Sequence, residues 1–162
     1  MSETDTRAPE RVITSVAELR ELVGKELGVS DWLEINQERV NQFADATGDH
    51  QYIHIDPERA AATFFGGTIA HGFLTLSLSH LLRSLTPVQI DLGGKLIVNY
   101  GLNTVRFTAP VPVGKRLRMR TKLAEVEEIG DQAVQIEQVL IFEVEGSDRP
   151  ACFAEALIRV YF

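Results

Sequence analysis

Residues 68–85 read TIAHGFLTLSLSHLLRSL. Ala70, Phe73, Leu74, Ser77, Leu78, Leu81, Leu82 and Leu85 fall on one stripe of a 3.6-residue period, which predicts a helix over 68–85. Most of the remaining face is uncharged as well, with Thr75, Leu76, Ser79 and His80, and Arg83 is the single charge. A helix this apolar is expected to be enclosed by the rest of the fold. What encloses it has to come from the chain on either side.

After Pro87 the period changes to two. Leu96, Val98, Tyr100 and Leu102 alternate with more polar positions; so do Leu117, Met119, Thr121 and Leu123, and then Val134, Ile136, Leu140, Phe142 and Val144. A fourth strand is expected from about 151 to 162. Pro110, Pro112-Val-Gly114, Ile129-Gly-Asp131 and the run 145–150 separate the strands as turns. An antiparallel sheet with one apolar face must cover that face, and the long helix is the natural cover. The expected class is α+β, a sheet curled around a central helix in the hot-dog manner.

Before the long helix, Ser15-Val-Ala-Glu18 is a capping-box pattern that opens a short helix over 16–23, with Gly24 as its stop. Residues 28–35 read as a first strand. Asn36 caps a helix that Gly48 ends, and Asp56-Pro57 opens a further short one. Residues 49–55 are then a tight connection with no helical signal. Residues 1–11 read as a frayed arm, which leaves 12–162 as one domain.

The whole chain bounds its function. At 162 residues with 44% apolar composition it can bury one core, and 23 acidic against 16 basic residues, a net charge of −7, argue against a nucleic-acid or anionic-membrane surface. The one cysteine, Cys152, rules out an intrachain disulfide framework and reads as a small buried hydrophobe. No segment has the apolar length of a membrane span, and the N-terminus lacks a signal-peptide pattern. A soluble, cytoplasmic protein is expected.

Chemistry concentrates in two places. Asp49 and His54 lie in the turn after helix 37–47, and Phe65-Gly-Gly-Thr-Ile-Ala-His-Gly72 leads into the apolar helix. A carboxylate and an imidazole on either side of one water could take a proton from it and return one to carbon. N–H groups at a helix start could polarise a carbonyl oxygen, with Gly72 permitting close approach. A zinc site on His50 and His54 is disfavoured, because the run between them is not helical and no third ligand is evident. The residues alone do not assign the proton between Asp49 and His54.

Taken together, GDHQYIH (48–54), FFGGTIAHGF (64–73) and VNYGLNTVRFTAPVPVG (98–114) resemble, in order, the motifs of the MaoC-like dehydratases, a family with (R)-specific enoyl-CoA hydratases and a nodulation protein N-like branch. The resemblance spans roughly residues 30–162. It implies a hot-dog fold, a homodimer, an acyl-CoA or acyl carrier protein thioester as substrate, no metal or redox cofactor, and reversible hydration of a trans-2-enoyl-CoA to the (R)-3-hydroxyacyl-CoA. By the same resemblance Asp49 and His54 are catalytic and the N–H of Gly72 meets the thioester carbonyl. The Asn103 strand would run beside the site. One departure is Gln51-Tyr52, where the hydratases carry Asn-Pro; the nodulation protein N-like branch resembles the version here.

Blander readings stand beside these. His50 reads as a solvated histidine, His71 and His80 as structural, and Tyr52 equally as an acyl-pocket residue or as packing under its loop. Lys115, Arg116, Arg118 and Arg120 read as a solvated strand face more readily than as a CoA-phosphate site. The same fold could also serve an acyl-CoA thioesterase, or a module that binds acyl thioesters without turnover.

Overall fold

The computed structural model describes residues 8–162. Its elements in chain order are β1 (Arg11–Ile13), α1 (Val16–Arg20), β2 (Glu26–Val29), β3 (Leu33–Glu34), α2 (Gln37–Thr47), α3 (Tyr52–Ile55) and α4 (Pro57–Ala61). Then come α5 (Gly72–Ser77), α6 (Ser79–Ser84), β4 (Val88–Ile90), β5 (Leu96–Phe107), β6 (Arg116–Ile129), β7 (Ala133–Val144) and β8 (Cys152–Tyr161). The main sheet is antiparallel in the order β2-β6-β7-β8-β5, with β3 also on β6. This is the expected α+β hot-dog arrangement.

Period-two patterning decides which face of the sheet is buried. Leu117 and Met119 on β6 and Leu140 and Phe142 on β7 are almost fully buried, together with Ala154 on β8. Against them pack Leu74, Leu78 and Leu82, spaced four apart along α5 and α6. On the opposite face of β6 the arginines are ion-paired across strands: Arg116 with Glu145, Arg118 with Glu143, and Arg120 with both Glu143 and Glu26. Alternation alone accounts for that basic set.

The central helix differs from expectation in two ways. It begins at Gly72 instead of 68, and it is divided at Leu78, a turn residue whose N–H still donates to Leu74 (3.1 Å) and whose carbonyl accepts from Leu82 N–H (2.9 Å). Thr68, Ile69 and Ala70 are buried but extended, because Ala70 N–H donates to Val111 (2.8 Å) and Val113 N–H donates to Thr68 (2.9 Å). A segment whose backbone pairs with a neighbouring chain segment cannot also close helical turns. The helix is also covered on one side only: Phe73 is 66% exposed, and Ser77 and His80 are exposed.

Along β5 the alternation gives the strand correctly but not a buried face. Ile97 is 60% exposed, and Leu96, Tyr100, Leu102 and Phe107 are about half exposed. As the edge strand beside β8, β5 is covered by its own chain only in part, where Val105 packs on the core and Phe107 lies against Gly72 and Phe73.

Three smaller elements depart from the sequence reading. The first strand is split into β2 and β3 around Ser30, whose Oγ accepts from Met119 N–H (2.9 Å). β1 and β4 form a two-stranded parallel pair, so Arg11, expected in the arm, belongs to a strand. The expectation of an arm otherwise falls mainly on residues 1–7, outside the described residues. The connection 49–55 contains one helical turn, α3, closed by Asp56 N–H donating to Tyr52. A four-residue turn is too short to show a period.

Candidate active site

The caps at 36 and 48 aim the site. Asn36 Oδ1 accepts from Arg39 N–H (2.9 Å) to start α2, and Gly48, with φ 77°, ends it in the left-handed conformation that lets the chain reverse. Asp49 follows at once, exposed, its Oδ1 accepting from Gln51 N–H (3.3 Å). α3 then presents His54. Asp56 caps α4 with Pro57 in its first turn, which fixes the exit from the loop.

Gln37, at the start of α2, ties these segments together. Its Nε2 donates to the carbonyl of His54 (2.7 Å) and to Asn41 Oδ1 (2.9 Å), while its Oε1 accepts from Thr68 Oγ (2.7 Å). One side chain so joins the His54 turn to the strand-like run that leads into Gly72. Sequence reading does not find this role, since a glutamine in the first turn of a helix is usually solvated.

His54 is buried, and its Nδ1 lies 2.7 Å from the carbonyl oxygen of Ile69. A carbonyl only accepts, so Nδ1 carries the hydrogen in the neutral ring and Nε2 is left with its lone pair free. Burial holds the His54 pKa below the usual histidine value, and the neighbouring His71 adds to that, against the opposing influence of the Ile69 carbonyl and of Asp49. The result is a neutral, oriented base.

His71 is more than the structural histidine expected. Its Nε2–H does donate to backbone, to the carbonyl of Asp49 at 2.9 Å. Its ring also stacks on that of His54, with centroids 3.8 Å apart and planes 27° from parallel. His71 Nδ1 is buried without a hydrogen-bond partner. One nitrogen from each histidine and one carboxylate oxygen of Asp49 lie within 4.8 Å of one another. That distance suits a metal or a shared water. Two acceptors this close can share one water, which bonds each at about 2.8 Å.

Gly72 opens α5, so its N–H has no partner within the helix. It lines, with His54, a cavity of about 320 Å³ whose far wall is Phe107 and the segment 108–111. A Cβ at 72 would sit 2.9 Å from the Phe107 ring, so the close approach requires glycine. His54 and Gly72 therefore face one space, with Asp49 beside His54 at the surface.

The other sequence candidates lie elsewhere. Tyr52 is half-buried under Arg59, whose guanidinium sits 4.3 Å from the ring centre, and it is not among the cavity-lining residues. Asn103 is exposed at an irregularity in the β5–β8 pairing; it is Phe107 that brings this strand to the site. His50 pairs with Asp45 (2.9 Å), which raises its pKa, and it shares no helix with His54.

The model of the MaoC like domain matches residues 18–144. The chain belongs to the MaoC-like dehydratase family. Within it, the chain is 55% identical over 149 residues to 3-hydroxyacyl-thioester dehydratase Z of Mycobacterium tuberculosis, covering 92% of this chain and 97% of that one. It is 41% identical over 151 residues to Nodulation protein N of Rhizobium leguminosarum, covering 91% and 92%. Among solved structures, the (R)-hydratase from A. caviae involved in PHA biosynthesis superposes with a TM-score of 0.61 at 26% identity, covering 83% of this chain and 96% of that one. The motif resemblance seen in the sequence and the folded MaoC-like domain thus agree.

Proposed function

We propose that this MaoC-like chain is an (R)-specific hydratase and dehydratase of acyl thioesters, adding water to a trans-2-enoyl-CoA and removing it from the (R)-3-hydroxyacyl-CoA. The observation that carries the reading is His54: a buried imidazole, oriented by Ile69, with Nε2 free, beside Asp49 and in one cavity with the start of α5. Relatives named as a thioester dehydratase and an (R)-hydratase point the same way.

In this reaction a water held between Asp49 and His54 loses a proton to His54 Nε2 as its oxygen bonds to C3 of the enoyl group. The C2=C3 electrons move toward the thioester oxygen, where the N–H of Gly72 and the helix start receive the charge. A proton then returns to C2 from the dyad, Asp49 serving as relay. One water is added across the double bond and both side chains return to their starting states. Histidine and carboxylate placed this way are expected to contribute about 10²–10⁴-fold.

The thioester is a CoA ester in this reading, and the enzyme acts as a homodimer in the cytoplasm. The uncovered apolar positions on β5 together with Phe73 support the dimer, since a second copy would bury them. Among the described residues no helix is long and apolar enough to cross a membrane. The lone thiol, Cys152, is buried, and burial pushes its pKa up to about 11, consistent with an inert core residue.

The test is purified protein with crotonyl-CoA, following enoyl-thioester absorbance and free thiol together. Absorbance loss without thiol release supports the hydratase. Thiol release would mean a thioesterase, and binding without change a non-catalytic module.

A further inference from the structure

Two cavities lie beyond the one that holds His54, along the same helix and the same strand. The first, about 450 Å³, is bounded by Leu76, His80 and Arg83 of the helix and by Tyr100 and Leu102 of β5. The second, about 300 Å³, adjoins it, sharing His80, Arg83 and Asn99, and ends at Gln138, Ile158 and Val160. In sequence order Gly72 and Phe107 line the dyad cavity, Leu76 and Leu102 the next, and Ser84 and Ile97 the last. Helix and edge strand thus bound a row of spaces leading away from the dyad, of which the second and third are joined through His80, Arg83 and Asn99.

A charged group stands where the second and third spaces meet, because Arg83 lines both. Arg83 Nη2 donates to Gln138 Oε1 (3.0 Å), and Gln138 is 2% exposed. Arg83 Nε is buried with no hydrogen-bond partner, and no carboxylate among the described residues pairs with the guanidinium. Burial alone lowers the Arg83 pKa, with no neighbouring charge to offset it. An arginine largely withdrawn from water without an anion is costly, and the ligand chemistry that best relieves it is a carboxylate.

We infer that this row of spaces selects enoyl thioesters whose far end carries a carboxylate, held by Arg83 with Gln138 fixing the guanidinium. The inference rests on the acyl-thioester reading of the dyad and names the substrate class within it. Arg83 stands eleven positions after Gly72, roughly 16 Å along the axis at the helical rise, and its side chain leans back toward the helix start. A medium-length chain spans that gap.

Binding and turnover are measured separately on the intact protein. Binding uses the saturated pair decanoyl-CoA and decanedioyl-CoA by calorimetry, for which no hydration is possible; turnover uses crotonyl-CoA, which is too short to reach Arg83. The wild type is expected to bind decanedioyl-CoA at least tenfold more tightly than decanoyl-CoA. Arg83→Met should bring that ratio to one or below, and Arg83→Lys should retain part of it. Equal or weaker binding of the diacid by the wild type overturns the inference, as does a preference that survives Arg83→Met, because the carboxylate is then seated elsewhere. Should Arg83→Met fail to fold, as read by circular dichroism, the wild-type ratio and Arg83→Lys decide. Crotonyl-CoA turnover without a diacid preference sinks this inference alone. A diacid preference without crotonyl-CoA turnover sinks the hydratase reading and leaves the carboxylate site standing.

Discussion

Gly72→Ala places one methyl group where the site has no room for it. Three atoms of the Phe107 ring lie 2.9, 3.0 and 3.1 Å from the ideal Cβ position. Carbon atoms prefer about 3.5–4.0 Å, so ring and helix start must separate by roughly 0.5–1 Å. Gly72 does not have a positive φ, so alanine introduces no backbone strain. Overpacking costs about 1–3 kcal/mol, and better helix propensity returns up to about 1 kcal/mol, which leaves a modest loss of stability. Activity responds more strongly, because a misplacement of about 1 Å costs on the order of 10²-fold. The expected result is a 10–100-fold fall in kcat for crotonyl-CoA hydration with a Tm lowered by a few degrees. Phe107 is 45% exposed with Phe73 against its edge, so Phe107→Ala in the same chain should open the space and restore much of kcat. A Gly72→Ala enzyme within twofold of wild type, or a double variant no better than the single, would refute the close-approach argument.

Other outcomes follow from the same geometry. Burial holds the His54 pKa below its ordinary 6.5, so the acid limb of kcat/KM should lie below that pH; the stability contributed by the neutral ring is complete above it and is lost as pH falls through the folded-state value. A limb at or above 6.5 in the pH–rate profile would contradict this. Gln37→Leu strands the His54 carbonyl and the Thr68 hydroxyl at a cost of about 2–4 kcal/mol, read by urea unfolding, and lowers kcat/KM as the turn loosens. Arg118→Ala, which breaks a strand-face ion pair, should change stability by under about 1 kcal/mol and leave KM for crotonyl-CoA unaltered. Ile97→Glu, on the exposed edge strand, should turn the proposed dimer into an 18.0 kDa monomer by light scattering.

What the sequence made legible is tied to how local each signal is. β7 and β8 alternate over their full lengths and β6 as far as Leu123, and all three sit where their patterns place them. The caps at Asn36, Gly48 and Asp56 act within one turn, and all three form as read. β1 and β4 have three residues each and meet from opposite ends of the helical half, so no window could show their pairing. The apolar helix starts later than its stripe for a related reason, since Ala70 fits the stripe but bonds to Val111, far along the chain. At the site, the positions of Asp49 and His54 were visible through their motif. The stack of His71 on His54, the Gln37 clamp and the Arg83–Gln138 pair were not, because each joins residues 17 to 55 positions apart.

The central claim is that Asp49 and His54 hydrate an enoyl thioester on one face. The direct measurement is the rate and product configuration with crotonyl-CoA for the wild type, Asp49→Asn and His54→Ala, each shown to be folded by its thermal melt. The account predicts (R)-3-hydroxybutyryl-CoA from the wild type and a loss of about 10²–10⁴-fold in each variant. An (S) product, or a variant that stays within tenfold of wild type, would contradict it.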